Sequence, residues 1–131
     1  MAQVLFFEKP GCINNTKQKR YLRNAGHVVV AIDILKYEWS EDLLRPYFSS
    51  LAVVDWFNQS APKIKSGKIY PEELTGEQAI EYLVKDPILI KRPLMKANNE
   101  CKVGFNYDEV NNWIGLDESG VDIDVESCPH L

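Results

Sequence analysis

Two apolar runs on either side of a helix-length segment constrain this chain more than any other feature. Gln3-Val-Leu-Phe-Phe reads as a strand, and His27-Val-Val-Val-Ala-Ile-Asp33 as a second one, rich in β-branched residues. A run as continuously apolar as the second fits a strand covered on both faces. Between them, Pro10-Gly11 predicts a tight turn, and a helix is expected from about Ile13 to Ala25. Gly26 suits a left-handed C-terminal cap for that helix. Strand, helix, strand within the first 34 residues is a βαβ unit, which implies parallel strands and a right-handed crossover.

The turn delivers Cys12 to the start of the helix. Unpaired N–H groups and the positive end of the helix dipole there favour thiolate over thiol. At such positions thiol pKa values fall from ~8.5 to roughly 3.5–7.5, and the thiolate is the nucleophile. The plainer alternative is a small, buried, inert side chain. Asn15 and Thr16, one turn on, are expected donors to the sulfur, and Lys17, Lys19, Arg20 and Arg23 make the helix basic. Of these, Lys19 and Arg23 read as a solvated face. The balance favours a reactive Cys12, hence redox or covalent chemistry.

With 131 residues, 45% hydrophobic and 26% charged, one folded domain is expected. No apolar run approaches the roughly 20 residues needed to span a bilayer. The N-terminus shows no basic region followed by an apolar stretch and cleavage site, so a cytoplasmic location is the expectation. The three cysteines, Cys12, Cys101 and Cys128, have neither disulfide-framework nor metal-ligand spacing. No bound cofactor or metal is expected. Net charge is −4, and residues 117–131 hold five acidic residues with no Lys or Arg. Removing those five leaves 15 basic against 14 acidic residues, a nearly neutral body with an acidic tail. That balance argues against nucleic-acid binding.

Helical signals follow the second strand. Ser40 suits an N-cap, Glu41 and Asp42 complement the dipole, and Trp39 with Leu44 fits a hydrophobic staple. Pro46 predicts a break, and Ser49 or Ser50 would cap a short helix through Ala52–Phe57. Residues 59–73 read as an exposed loop. Thr75-Gly-Glu-Gln78 matches a capping box, and Ala79, Ile80, Leu83 and Val84 give the next helix one apolar face. Asp86-Pro87 stops it. Ile88–Ile90 and Leu94-Met95 read as strand on either side of Pro93. Cys101, Val103 and Phe105 alternate with polar residues, as in a half-buried strand. Asn106 opens a last helix ending at Gly115. The predicted order is βαβ, helical insert, ββα.

That order and two motifs, Lys9-Pro-Gly-Cys12 and Ile88-Leu-Ile-Lys-Arg-Pro-Leu-Met95, resemble the arsenate reductase/Spx family over about residues 2–116. The resemblance implies an α/β, thioredoxin-like fold over 1–116, with a helical insert at about 39–86 and the acidic tail at 117–131. It implies that Cys12 is the nucleophilic thiol. Pro93 would be a cis-proline whose preceding backbone faces the thiol and pairs with substrate. Arg92 would stabilise an oxyanion or thiolate, a role its guanidinium fork suits. A surface arginine is the plainer reading of Arg92.

Three departures accompany the resemblance. Arsenate reductases of this type carry further arginines where this chain has Asp55 or Asn58, and where it has Asn106. A carboxylate there would repel arsenate, which argues against efficient arsenate reduction. Spx-type regulators carry Cys-x-x-Cys, whereas this run is Cys12-Ile-Asn-Asn15. The C-terminal Trp113-Ile-Gly-Leu116, acidic tail and Cys128-Pro129 look like proteins called nitrogenase-associated. The resemblance therefore implies either a thiol oxidoreductase using glutathione or glutaredoxin as external reductant, or a non-catalytic module bound to a nitrogen-fixation protein. Cys128 would be a resolving thiol if the tail reached Cys12, with an unengaged terminus as the plainer alternative. Cys101 reads as a packed core residue, and His27 as a solvated or capped one. Trp39, Trp56 and Trp113 read as packing residues. Lys63, Lys65 and Lys68 read as a solvated loop, with an acidic partner as the alternative.

Overall fold

The computed structural model describes residues 2–49 and 51–116. Cys128, the acidic tail and Ser50 lie outside them. Strands β1 (Gln3–Glu8), β2 (Val28–Asp33), β3 (Leu94–Ala97) and β4 (Glu100–Val103) form one sheet in the order β2-β1-β3-β4. β1 pairs in parallel with β2, and antiparallel pairing joins β1 to β3 and β3 to β4. Helices are α1 (Ile13–Asn24), α2 (Glu41–Phe48), α3 (Pro62–Lys65), α4 (Gly76–Lys85) and α5 (Tyr107–Ile114).

The pleat of β1 divides the core in two. Val4 and Phe6 pack with Tyr21 and Leu22 of α1 and Val110 of α5. Phe7, on the opposite face, packs with Leu44, Phe48, Ile80 and Leu83 of α2 and α4. The sheet is therefore sandwiched between α1/α5 and the inserted helices. This is the thioredoxin-like α/β arrangement.

Several ends form by the local chemistry the sequence announces. Ser40 Oγ accepts from Leu43 N at 3.2 Å. Thr75 and Gln78 complete both bonds of the capping box. Asn106 Oδ1 accepts from Glu109 N at 3.1 Å. Gly26 N and His27 N donate to Arg23 O and Leu22 O, the paired bonds that close α1. The β3–β4 turn uses Asn98 and Asn99 at φ 53° and 63°, the backbone of a two-residue hairpin turn.

Other expectations are corrected. β2 is an edge strand, not one covered on both faces: none of its residues is fully buried, and Val28 is 53% exposed. α2 runs through Pro46, because burial of Leu44, Tyr47 and Phe48 outweighs one lost backbone bond. Val53–Trp56 is a 3₁₀ turn that starts at Ala52 without a side-chain cap. Residues 59–73 are no plain exposed loop. They contain α3 and a turn at Pro71–Glu73, bury Ala61, Ile69 and Pro71, and pair Lys63 with Asp86 at 3.1 Å. Ile88–Ile90 is not a strand. Pro87–Leu89 is a 3₁₀ turn, and Ile90 makes an isolated bridge to Phe57. Phe105 leaves the face of Cys101 and Val103 after the turn at Gly104 and enters the α1/α5 core.

Candidate functional site

Lys9 O accepts from Cys12 N at 3.1 Å, closing a turn with Pro10 second and Gly11 third at φ 86°. A type II turn needs positive φ at its third residue, so glycine is required there. The turn places Cys12 at the N-cap of α1, half-buried, with no side-chain bond to the helix. No acidic residue occupies the first turn of α1.

The neighbours expected to contact the sulfur bond elsewhere. Thr16 donates through both N and Oγ1 to Cys12 O, each at 3.1 Å. Asn15 is buried, accepts from Lys9 N at 3.3 Å, and donates to Gln18 Oε1 at 3.0 Å. Asn15 thus fastens the turn to α1 and positions Cys12 rather than bonding its sulfur. Lys19, read from sequence as solvated, pairs with both oxygens of buried Glu8 at 2.9 Å. It ties α1 to the end of β1.

Opposite Cys12 stands the segment entering β3, with a cis Arg92–Pro93 peptide. Arg92 is half-buried, and its Nε and Nη1 are buried without a hydrogen-bond partner. Burial presses the Arg92 guanidinium below its ordinary pKa, and the charge of Cys12 works against that shift. The inserted segment is bonded to this one: Asn58 N donates to Leu89 O at 2.7 Å, and Lys91 N to Trp56 O at 3.0 Å. Those bonds set Asp55 and Asn58 as one wall of the site. Gly104, at φ 77°, lies beneath Lys91, where a Cβ would come 3.4 Å from Lys91 Cε.

Together these residues line a cleft of about 680 Å³. It holds Cys12, Asn15 and Arg92, and also Asp55, Asn58 and Asn106, where the family resemblance places arginines. Sequence reasoning missed Asn14, Lys91 and Glu109, which line it too. Asn14 Oδ1 is buried without a partner. It lies two residues past Cys12 in the sequence. Pro93, expected to meet substrate, is buried and is not among the residues that line the cleft.

Cys101 is half-buried beside Tyr47 and lines a neighbouring cleft of about 600 Å³ with Trp113. Burial pushes its thiol up, while Lys96 and a hydrogen bond from Tyr47 pull it down. His27 is buried, which corrects the solvated reading. Its Nδ1 accepts from Ala2 N at 2.9 Å, and its Nε2 meets Gly115 O at 2.7 Å. Among the described residues no group of His, Cys, Asp and Glu could hold a metal ion, and no helix is long and apolar enough to cross a membrane.

The ArsC family profile matches residues 10–113. The chain belongs to the ArsC family. It is 47% identical to an uncharacterized 15.7 kDa protein of the draG 3′ region of Rhodospirillum rubrum, over 98% of this chain and 90% of that one. It is 25% identical to the global transcriptional regulator Spx of Streptococcus mutans, over 87% of this chain and 85% of that protein. An ArsC-family-related structure from Bacteroides fragilis superposes with a TM-score of 0.75 at 26% identity, covering 83% of this chain and 95% of that one.

Proposed function

We propose that this chain is a thiol-dependent oxidoreductase with a single working cysteine. The observation that carries the reading is the pairing, in one cleft, of Cys12 at a helix N-terminus with an Arg92 whose buried Nε and Nη1 lack partners. Cys12 thiolate attacks one sulfur of a disulfide, forming a Cys12 mixed disulfide and expelling the other sulfur as thiolate. Arg92 stabilises the charge on the departing sulfur. A second, external thiolate then attacks the mixed disulfide, regenerates Cys12 and carries away the first sulfur as a new disulfide. Cys12-Ile-Asn-Asn15 offers no second cysteine in the motif, so glutathione or a glutaredoxin supplies that thiol. The reaction belongs to a reducing compartment such as the cytoplasm.

The test is glutathione-dependent reduction of a mixed disulfide by the full chain. Turnover is expected to vanish in Cys12→Ser and to fall about 10- to 100-fold in Arg92→Gln, the loss of a hydrogen bond to a charged group. Arg92→Lys is expected to recover part of it. Turnover that persists in Cys12→Ser sinks the proposal.

A second reading is a binding module that kept the fold and acts on a nitrogen-fixation protein. The draG-region relative from Rhodospirillum rubrum favours it. It requires a stable complex that survives Cys12→Ser, with no turnover by the wild type.

A further inference from the structure

The cleft has more polar features than disulfide exchange needs, and they differ in kind. Arg92 presents two buried donors without acceptors, and Asn14 Oδ1 is a buried acceptor without a donor. Buried polar groups are nearly always satisfied, so these three atoms ask for a ligand that both accepts and donates. A peptide group does both, through its carbonyl and its N–H. A fully ionised tetrahedral oxyanion only accepts.

Two carboxylates, Asp55 and Glu109, line the same cleft. Neither has an ion-pair partner among the described residues. The lining is mostly polar, but it includes exposed aliphatic side chains: Leu51 and Val54 are each 37% exposed, and Ile13, next to Cys12 in the chain, is 45% exposed. The volume of about 680 Å³ exceeds the needs of a small oxyanion and lies within the usual range for organic ligands.

We propose that the sulfur attacked by Cys12 is carried on a peptide segment of a protein, with a lysine or arginine next to the oxidised cysteine. This rests on the thiol-exchange reading above. The peptide carbonyl accepts from Arg92, its N–H donates to Asn14, and the flanking cation lies between Asp55 and Glu109. The aliphatic rim covers the rest of the segment. Cys12 thiolate forms a disulfide with the peptide sulfur, and the electron pair of the broken S–S bond leaves with the other sulfur.

The experiment uses the full chain carrying Cys101→Ser and Cys128→Ser. Its substrates are N-acetylated, amidated Lys-Cys-Lys and Glu-Cys-Glu, each as the mixed disulfide with 5-thio-2-nitrobenzoate. The released aryl thiolate is the better leaving group, so attack falls on the peptide sulfur. Each rate is divided by the rate of the same substrate with 2-mercaptoethanol, which removes intrinsic reactivity. The Lys peptide is expected to react about fivefold faster than the Glu peptide at low salt, the scale of two surface ion pairs. That ratio should approach one at high salt and in Asp55→Asn/Glu109→Gln. The 2-aminoethanethiol mixed disulfide, cationic but without a peptide group, should react more slowly than the Lys peptide, and Asn14→Ala should narrow that gap. Equal rates for the two peptides overturn the charge assignment and leave thiol exchange standing. An aminoethanethiol rate equal to the Lys peptide's overturns the peptide contact. No reaction of Cys12 with any substrate overturns the thiol-exchange reading and this one together.

Discussion

Cys101 sits among groups that move its proton in opposite directions. Burial has the larger effect and raises its pKa, whereas the charge of Lys96 and the Tyr47 hydrogen bond favour the thiolate. Burial also pushes the Tyr47 hydroxyl well above its ordinary range, so it stays protonated and able to donate through the range in which Cys101 titrates. Removing that donor leaves burial less opposed. Tyr47→Phe is expected to shift the midpoint of Cys101 alkylation to higher pH, measured in a Cys12→Ser, Cys128→Ser background. An unchanged or lower midpoint would show that the hydroxyl does not reach the sulfur. The sign carries over to stability. A thiol whose folded pKa lies above its unfolded value contributes stability that is complete below the unfolded pKa. That contribution is lost as pH rises through the folded one. Cys101 therefore makes the wild type less stable on the alkaline side only.

Among elements, α1 is tied to the sheet at its middle and just past its C-terminus. Glu8 and Lys19 join its middle to the end of β1, four residues before Cys12. At the other end, His27 joins the start of β1 through Ala2 to the end of α5 through Gly115. Those two bonds require one ring nitrogen to accept and the other to donate, as in a neutral imidazole with its proton on Nε2. His27→Ala leaves Ala2 N–H and Gly115 C=O without these partners. It is expected to cost about 1–3 kcal/mol for the buried Ala2 N–H and less for the half-buried Gly115 C=O, read as a lower urea midpoint with an unchanged slope. A loss of only a few tenths would mean that water replaces the ring. Neither tie was legible in the sequence, because each joins residues far apart in the chain. Helix ends were legible, since Ser40, Thr75-Gln78, Gly26 and Asn106 act on backbone within a few residues. β2 was misread for the opposite reason. Its composition describes the strand, but its exposure depends on which neighbour it lacks. Cys12 and Arg92 were legible as motifs. Asn14 and Glu109 were not: Glu109 joins the cleft only through the fold, and nothing in the sequence marks the side chain of Asn14, two residues past Cys12, as lining it.

Taken whole, the molecule has the ArsC scaffold and presents a cleft in which positive and negative side chains balance. The presentation of Cys12 depends on the turn at Gly11, the start of α1 and the segment through Arg92, all of which are in place. Affinity for a tetrahedral anion depends on how much positive charge surrounds that thiol. Here Lys91 and Arg92 share the cleft with Asp55 and Glu109, and Asn58 and Asn106 add no charge. A multiply charged anion entering it meets as many carboxylates as cations, and it must also lose water to get there. Wild-type Cys12 should therefore be alkylated at the same rate with or without sulfate or arsenate, once ionic strength is matched. Restoring positive charge at the two positions singled out by the family resemblance, with Asp55→Arg/Asn106→Arg, changes the cleft from balanced to net positive by three units. Both residues are exposed on the cleft wall, and losing the Asn106 cap of α5 costs about 1 kcal/mol, so the variant is expected to fold with slightly lower stability. In that variant sulfate and arsenate should protect Cys12 from a neutral alkylating reagent, to a degree that saturates with anion concentration. The same variant should lose the preference for Lys-flanked over Glu-flanked disulfides. Saturable protection already present in the wild type would mean that Arg92 and Lys91 suffice for an anion. The carboxylates would then be bystanders, and the cleft would be an anion site in spite of them.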